Sequence, residues 1–420
     1  MYPITPLGYG SLLDSAAILP GLYSNMESST SGSPRESAPP LAGVKVIELG
    51  QLIAGPFCGQ LLADFGADVI KVEQPGEGDP MRRWGFSRDG KSLSWSVIAR
   101  GKRCVTADLR TPEGVELVTA LAREADVLVE NFRPGTLERF GLGPDTLAAL
   151  NPGLIVVRVS GYGQTGPYAH RAGYGSIGEA MGGLRYLVGE PDRPPSRMGV
   201  SLGDMLAGMH AAMGALLALQ ARHRDGLGQQ VDVSIYESVL AMTEALVADQ
   251  AIAGVRRERS GAVLPGVAPS NVYPTSDGEY VLVAANQDTV FRRLAVAMGA
   301  PELGTSPEYG THHARGERQA ELDDLIAGWT VRHTAADVLE ILEANGVPAG
   351  RVYTAADMLA DPHFAARQSI VRVPDEKLGE VPMQGVAPRL SATPGTIRWT
   401  GAELGRHDTE VRGEIGQRTG

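Results

Sequence analysis

The chain is 420 residues long, with 49 acidic against 38 basic side chains and a net charge of −11. At roughly 100–200 residues per domain the length predicts two or three domains, and a composition 43% hydrophobic and 21% charged excludes a wholly disordered chain. The acidic balance argues against nucleic acid or an anionic membrane as partner. Two cysteines, Cys58 and Cys104, cannot make a disulfide framework, which points to a reduced, cytoplasmic setting.

Residues 1–41 are rich in Ser, Pro and Gly and carry no Lys or Arg before Arg35, unlike a secretory signal or a transit peptide. They read as a disordered extension, with Met26 as an alternative start. From Val44 to Glu73 the pattern is strand, loop, helix, strand: Val44–Leu49, Pro56–Phe65, Asp68–Val72. Such a βαβ unit implies a parallel sheet with helices on its faces. The rhythm continues through strands at Cys104–Leu109, Asp126–Glu130 and Leu154–Ser160 and a helix at Pro112–Arg123 opened by Thr111-Pro112.

Ser201–Arg222 reads as a strong helix. Small residues recur at Ala207, Ala211 and Ala215 and larger ones at Met205, Met209 and Met213, which predicts deep burial, with the methionine row as core filler. Its apolar stretch, Met205–Ala221, includes His210 and Gln220 and falls short of the roughly 20 apolar residues of a membrane span. After a charged, then Gly- and Pro-containing loop at 256–266, Asn271–Asn286 reads as a hairpin turning at Ser276-Asp277-Gly278. Helical patterns follow at Val290–Met298, Ala320–Arg332 and Ala335–Asn345. This stretch predicts a second, smaller α+β domain. Beyond Val352 the pattern returns to strand, loop and helix.

Three local motifs compete. Gly161-Tyr-Gly163-Gln-Thr-Gly166 follows a strand, as a dinucleotide fingerprint does, but the fingerprint must open a helix and Gly173 and Gly175 interrupt this one; a loop with left-handed positions is the alternative. Gly199-Val-Ser201-Leu-Gly203 matches the elbow of serine hydrolases, with His210, His312, His313, His333, His363 and His407 downstream, yet no strand precedes Ser201. Asp204, at the mouth of the long helix, reads locally as a helix cap; a carboxylate held there stays ionised and is also equipped to act as a nucleophile. No metal-ligand spacing is apparent, His312 and His313 being adjacent and pointing apart. Arg82, Arg83, Arg100, Lys102, Arg103, Arg110, Arg133 and Arg139 form a local basic excess suited either to a phosphate-bearing ligand or to a solvated face.

Beyond residue 41 the chain resembles the family III CoA-transferases, whose relatives include the α-methylacyl-CoA racemases. The resemblance rests on Ile53-Ala-Gly-Pro56, Asp64-Phe-Gly-Ala67 running into Asp68-Val-Ile-Lys-Val-Glu73, Arg110-Thr-Pro-Glu-Gly114, Glu130-Asn-Phe-Arg-Pro-Gly135 and Leu202-Gly-Asp204. It implies an α/β, Rossmann-like large domain with a parallel sheet over 42–235, a linker helix over 236–259, a small α+β domain over 260–350, a segment 351–420 returning to the large domain, and an interlocked homodimer. It implies Asp204 as the nucleophile, carrying first an anhydride and then a CoA thioester. CoA thioesters are then the substrates, with no tightly bound cofactor or metal. The same resemblance places the CoA thiol end at Ile53 and Ala54. Ala107, Asp108, Leu109 and Arg110 take the adenine and ribose, with Asn131, Phe132, Arg133 and Arg139 nearby, Tyr174 beside the nucleophile and Trp84 near the acyl group.

Departures from the family pattern narrow the expectation. Tyr174 stands where the racemases carry a histidine and Gly175 follows where an acid is found, which disfavours α-proton exchange and makes a racemase, like a Ser201 hydrolase, the alternative. Ile53 replaces the glutamine of formyl-CoA transferase, with Gln51 two positions earlier, and the tetraglycine lid has no counterpart. Gly182-Gly-Leu-Arg185-Tyr with Asp192-Arg193-Pro-Pro is similar to members that use dicarboxylic acids, so Arg185, Arg193 or Arg197 is expected to pair with a distal carboxylate.

Overall fold

A computed structural model describes residues 38–419. Met26 and the expected extension, apart from 38–41, lie outside them. Six short segments, most of them rich in Val, Ile and Leu, become β1 (Lys45–Glu48), β2 (Asp68–Glu73), β3 (Arg103–Thr106), β4 (Val127–Glu130), β5 (Ile155–Ser160) and β6 (Gln230–Ser234). All pair in parallel, in the order β3-β2-β1-β4-β5-β6. This is the doubly wound order, which reverses between β1 and β4. Helices cover both faces. Val46, Val127, Val129, Ile155 and Val157 face one core, while Ile47, Leu128 and Val156 face the other. A strand buried on both sides reads as a continuous apolar run, which is why alternation is weak in the sequence.

The crossover from β1 is α1 (Ala54–Asp64), and α2 (Pro112–Ala122) follows β3, its N-cap Thr111 accepting from the Gly114 N–H at 3.2 Å. Between β5 and β6 lie α3 (Gly175–Met181) and the 24-residue α4 (Leu202–Asp225), which ends on Gly226 at φ +76. By length and composition α4 is apolar enough to cross a membrane, contrary to expectation, because it extends beyond the predicted stretch at both ends. Its small-residue row Ala207, Ala211, Ala215 is buried in the sheet-facing core. The methionine row is not core filler: Met209 is 53% and Met213 51% exposed. Two positions on a helix rotate a side chain by about 200°, so one row's burial turns the other outward.

β7 (Ser270–Pro274) and β8 (Tyr280–Ala284) form the predicted hairpin, with Gly278 at φ +79 in its turn. β9 (Ala349–Arg351) completes a three-stranded sheet backed by α5 (Asp288–Ala297), α6 (Gln319–Thr330) and α7 (Ala335–Ala344). The stretch expected as a linker helix over 236–259 is broken into Ile235–Leu240, Leu246–Ala248 and a π-turn at Asp249–Ala253, with Glu244 at φ 52. A hairpin of β10 (Ile370–Asp375) and β11 (Gly379–Gln384) follows, then α8 (Asp408–Thr419). Asp408 accepts from the Thr106 N–H at 2.7 Å and Arg103 reaches Glu410 at 3.0 Å and Glu414 at 2.7 Å, tying the tail to the edge of the large sheet.

Candidate active site

In an open parallel sheet ligands bind beyond the carboxyl ends of the strands, where the order reverses. A cleft of about 600 Å³ lies there. The turn from β1 to α1 supplies Gln51, Leu52, Ile53 and Ala54; the turn after β4 supplies Asn131, Phe132 and Arg133. Across from them stand Trp84, Tyr174, Gly175, Glu179, Arg197, Ser201 and Asp204.

The β1–α1 wall is held from behind by buried charge. Leu52 sits at φ 62, a left-handed backbone that a branched side chain rarely adopts. Its N–H is accepted by Asp79 Oδ1 at 3.0 Å. Asn131 brackets the residue before it, accepting from the Gln51 N–H at 2.7 Å and donating to its carbonyl at 2.9 Å. Lys71 donates to the Gly50 carbonyl at 2.6 Å and pairs with Glu48 at 3.1 Å and Asp79 at 2.9 Å. Lys102 meets the other oxygen of Glu48 at 2.7 Å. Glu48, Lys71 and Lys102 are fully enclosed, and a Cβ on Gly59 would lie 1.8 Å from Glu48 Oε2.

The basic excess of the first half therefore takes a third course. Arg82 binds Glu73 with two 2.7 Å bonds and lies over the Trp95 ring, while Arg100 grips Asp64 at 2.6 and 3.0 Å; with Lys71, Lys102 and Arg103 these cations are mostly committed to internal partners. Of the eight basic residues in that first-half group, Arg133 alone lines the cleft. Arg83 donates to the Glu77 carbonyl at 2.7 Å and Arg139 to Thr136 Oγ1 at 2.7 Å. Ala107, Asp108, Leu109 and Arg110 follow β3 on the same carboxyl edge but outside the cleft, Arg110 bonding Asp108 at 2.9 Å and holding its carboxyl well below the usual range.

Asp204 occupies the first turn of α4 and does not cap it. Ser201 stands at the N-cap and makes no side-chain cap bond, which leaves Asp204 at the third helical position. Burial, and after it the charge of Glu179, push the Asp204 carboxyl up to about 6, while Arg197 pulls it down. At neutral pH it remains largely ionised. Gly175 makes room for it: a Cβ there would lie 2.2 Å from Asp204 Oδ2. An acid at 175, which a racemase reading requires, has no space in this arrangement.

Two expected substrate residues are placed elsewhere. Arg185 is already paired, its Nη2 2.8 Å from Glu179 Oε2, and it does not line the cleft. Arg193 is exposed on the loop before α4, also away from the cleft. Glu179 was not singled out from sequence; its signal was slight, a lone acid in the small-residue string Gly175–Met181. It accepts from the Gly203 N–H at 3.2 Å.

The rival motifs lose their context. The Gly161–Gly166 string follows β5 rather than β1, opens no helix, and holds Gly163 and Gly166 at φ +86 and +85. Gly161 instead packs on Gly173, where a Cβ would lie 2.8 Å from the Gly173 Cα. No strand precedes Ser201, and no histidine lines the cleft. Among the described residues no cluster of His, Cys, Asp and Glu is arranged to hold a metal ion.

The fold and cleft thus define an α/β protein whose cleft, at the switch point of a doubly wound sheet, holds a partly buried carboxylate. The family model of CoA-transferase family III matches residues 41–408. Succinyl-CoA–D-citramalate CoA-transferase of Chloroflexus aurantiacus is 61% identical over 373 residues, 89% of this chain and 93% of that one. The succinyl-CoA–L-malate CoA-transferase beta subunit of the same organism is 43% identical over 380 residues, 90% of this chain and 94% of its own. A CAIB/BAIF family protein from Brucella suis superposes with a TM-score of 0.81 at 38% identity, covering 90% of this chain and 100% of that one. The chain belongs to CoA-transferase family III, and the enzyme is a CoA-transferase.

Proposed function

We propose that the enzyme moves CoA from succinyl-CoA to a small dicarboxylic acid of the citramalate, malate or glutarate type, with Asp204 as covalent carrier. The observation that carries this is the Asp204 carboxylate at the cleft wall, raised in pKa and given room by the missing Cβ of Gly175. The relatives acting on citramalate and malate support the substrate class.

Asp204 attacks the donor thioester, the C–S bond breaks, and CoA thiolate leaves behind a mixed anhydride. The thiolate attacks the aspartyl carbonyl and expels the donor acid, leaving an aspartyl-CoA thioester. The acceptor carboxylate attacks that thioester, and the released thiolate takes the acceptor's acyl group and frees Asp204. No proton or electron changes hands, so positioning and oxyanion stabilisation are the demands on the site. The first turn of α1, where no side chain caps the helix, offers N–H donors on the facing wall. CoA then runs along the carboxyl edge from Ile53 and Ala54 past Asn131–Arg133 towards Arg139 and Ala107–Arg110. Incubation with succinyl-CoA followed by hydroxylamine is expected to leave a hydroxamate on the peptide carrying Asp204; modification elsewhere rejects the assignment.

With Arg185 occupied, Arg197 becomes the anchor for the acceptor's distal carboxylate. It lines the cleft, where its Nη2 donates to Ser201 Oγ at 3.3 Å. Loss of a charge-assisted bond worth roughly 1.5–3 kcal/mol predicts that Arg197→Met raises the acceptor KM about 10- to 100-fold with a much smaller change for succinyl-CoA. Equal changes in both would remove this role. Gly175→Ala places a methyl against the Asp204 carboxylate, and a shift on the order of 1 Å predicts a loss of about 100-fold in kcat with the fold retained.

The exposed methionine row of α4, with Leu217 at 62% exposed, is covered in this reading by a second copy of the chain. The domain segmentation given above, with 236–259 as a broken linker rather than one helix, and a cytoplasmic setting complete it. Sedimentation is expected to give twice the chain mass of 44.3 kDa.

A further inference from the structure

We infer that Glu179 is a positioning residue for the reaction: anchored by Arg185 and by the first turn of α4, it holds a like charge against Asp204 that is relieved only while Asp204 is acylated. This deepens the reading of Asp204 as carrier and rests on it.

The two carboxylates are brought together by glycines at each point where α3 and α4 meet. A Cβ on Gly175 would strike Asp204, and one on Gly203 would lie 3.0 Å from the Gly175 carbonyl and 3.1 Å from Glu179 Cγ. On its far side α3 is pinned at Gly178, where a Cβ would lie 2.5 Å from Ile235 Cγ2. Glu179 is only 2% exposed and cannot swing away. Oε1 accepts from the Gly203 N–H at 3.2 Å and Oε2 from Arg185 at 2.8 Å.

Structural need alone does not account for this arrangement. A buried Arg–Glu pair is often no more stable than apolar residues of similar volume, and the helix start has a serine at its N-cap whose hydroxyl makes no cap bond. Yet the Gly203 N–H is assigned to a carboxylate facing the cleft. The chemistry supplies a reason. In the acylation step the negative charge of Asp204 passes to the departing thiolate, so repulsion from Glu179 is present before the step and absent after it. An interaction that destabilises the resting nucleophile more than the acylated state lowers the barrier between them. The other charged or titratable groups lining the cleft with Asp204 are Arg197 from the loop entering α4, Tyr174 at the foot of α3, and Arg171 and Arg133 on the loops after β5 and β4. Arg197 opposes the effect of Glu179 on Asp204.

The test is the acid limb of the pH profile for single-turnover acylation by succinyl-CoA. Glu179→Gln removes the charge and keeps one of the two accepted bonds, its single amide oxygen taking either the Gly203 N–H or Arg185; the limb is expected to move down by roughly half a unit or more, with acylation at pH 8 slowed about threefold for each half unit. Arg185→Gln removes the compensating cation, and the limb is expected to move up. Shifts of opposite sign are a signature that loosened packing does not produce. If Glu179→Gln does not fold, Arg185→Gln alone, read by the pH dependence of carbodiimide labelling of Asp204, decides. Limbs that stay put or move together overturn the inference. Asp204→Asn, run in parallel, separates the two readings: if that variant still exchanges CoA, the carrier assignment fails first.

Discussion

Replacing Asp204 by asparagine is expected to abolish CoA exchange and, at pH 8, to raise the stability of the protein. An amide is a poor nucleophile towards a thioester, and removal of a covalent carrier predicts a loss of about 10³-fold or more in kcat. The stability effect follows from linkage. The folded carboxyl titrates at about 6 against an ordinary 3.8. The folded protein therefore holds this proton more tightly than the unfolded chain, and stability falls as pH rises from about 4 to 6. Above that window the full penalty of the buried, repelled charge is present, about 2–3 kcal/mol at most for a shift of this size. Asparagine removes it, so the gain is present at pH 8 and absent at pH 4, where aspartate is neutral too. Urea unfolding at the two pH values reads the difference, and exchange between succinyl-CoA and an acceptor reads the activity. A variant that is inactive but also less stable at pH 8 contradicts the electrostatic account of the site.

What the sequence disclosed divides along a physical line. Elements fixed by local chemistry were legible: the βαβ pattern from β1 to β2, the α2 start at Thr111-Pro112, and the hairpin at Gly278. Leu202-Gly-Asp204 was legible as a family string, although its local reading as a cap was mistaken, since Ser201 takes that position. Features made by pairing across the chain were not. Arg185 looked like a free cation for substrate although Glu179 lies only six residues before it, because only the fold shows that α3 turns that acid towards it. Arg100 and Lys102 looked like a surface or a phosphate site, whereas their partners, Asp64 and Glu48, stand far upstream. The methionine row was misread for a different reason. Periodicity shows that a helix has two unlike faces, but only the position of the sheet decides which one is covered.

Lys71→Met is the second change expected to have a large effect, and it separates stability from catalysis. Burial alone would lower the pKa of this ammonium; Asp79, Glu48 and Glu73 outweigh it and raise the value, so Lys71 is charged at neutral pH. Methionine is close in shape but leaves Asp79 enclosed without the Lys71 ammonium and Glu48 with Lys102 alone, and breaking a buried ion set from one side costs about 3–5 kcal/mol. It also removes the donor to the Gly50 carbonyl, the step in the chain before Gln51 and the left-handed Leu52 that line the cleft. Adding Asp79→Asn to Lys71→Met removes the stranded charge while an amide oxygen still accepts from the Leu52 and Met81 N–H groups, whose bonds measure 3.0 and 2.9 Å in the parent. Glu48 then keeps Lys102, and the double variant is expected to regain about 1–3 kcal/mol of the loss. Turnover should not return with it, because the Gly50 carbonyl still lacks its donor and the wall of the cleft is held at fewer points. Denaturant midpoints set against kcat for the two variants check this. If the double variant recovers both together, the buried charges serve the core alone; if Lys71→Met unfolds at the parental midpoint, the enclosed network carries no stability at all.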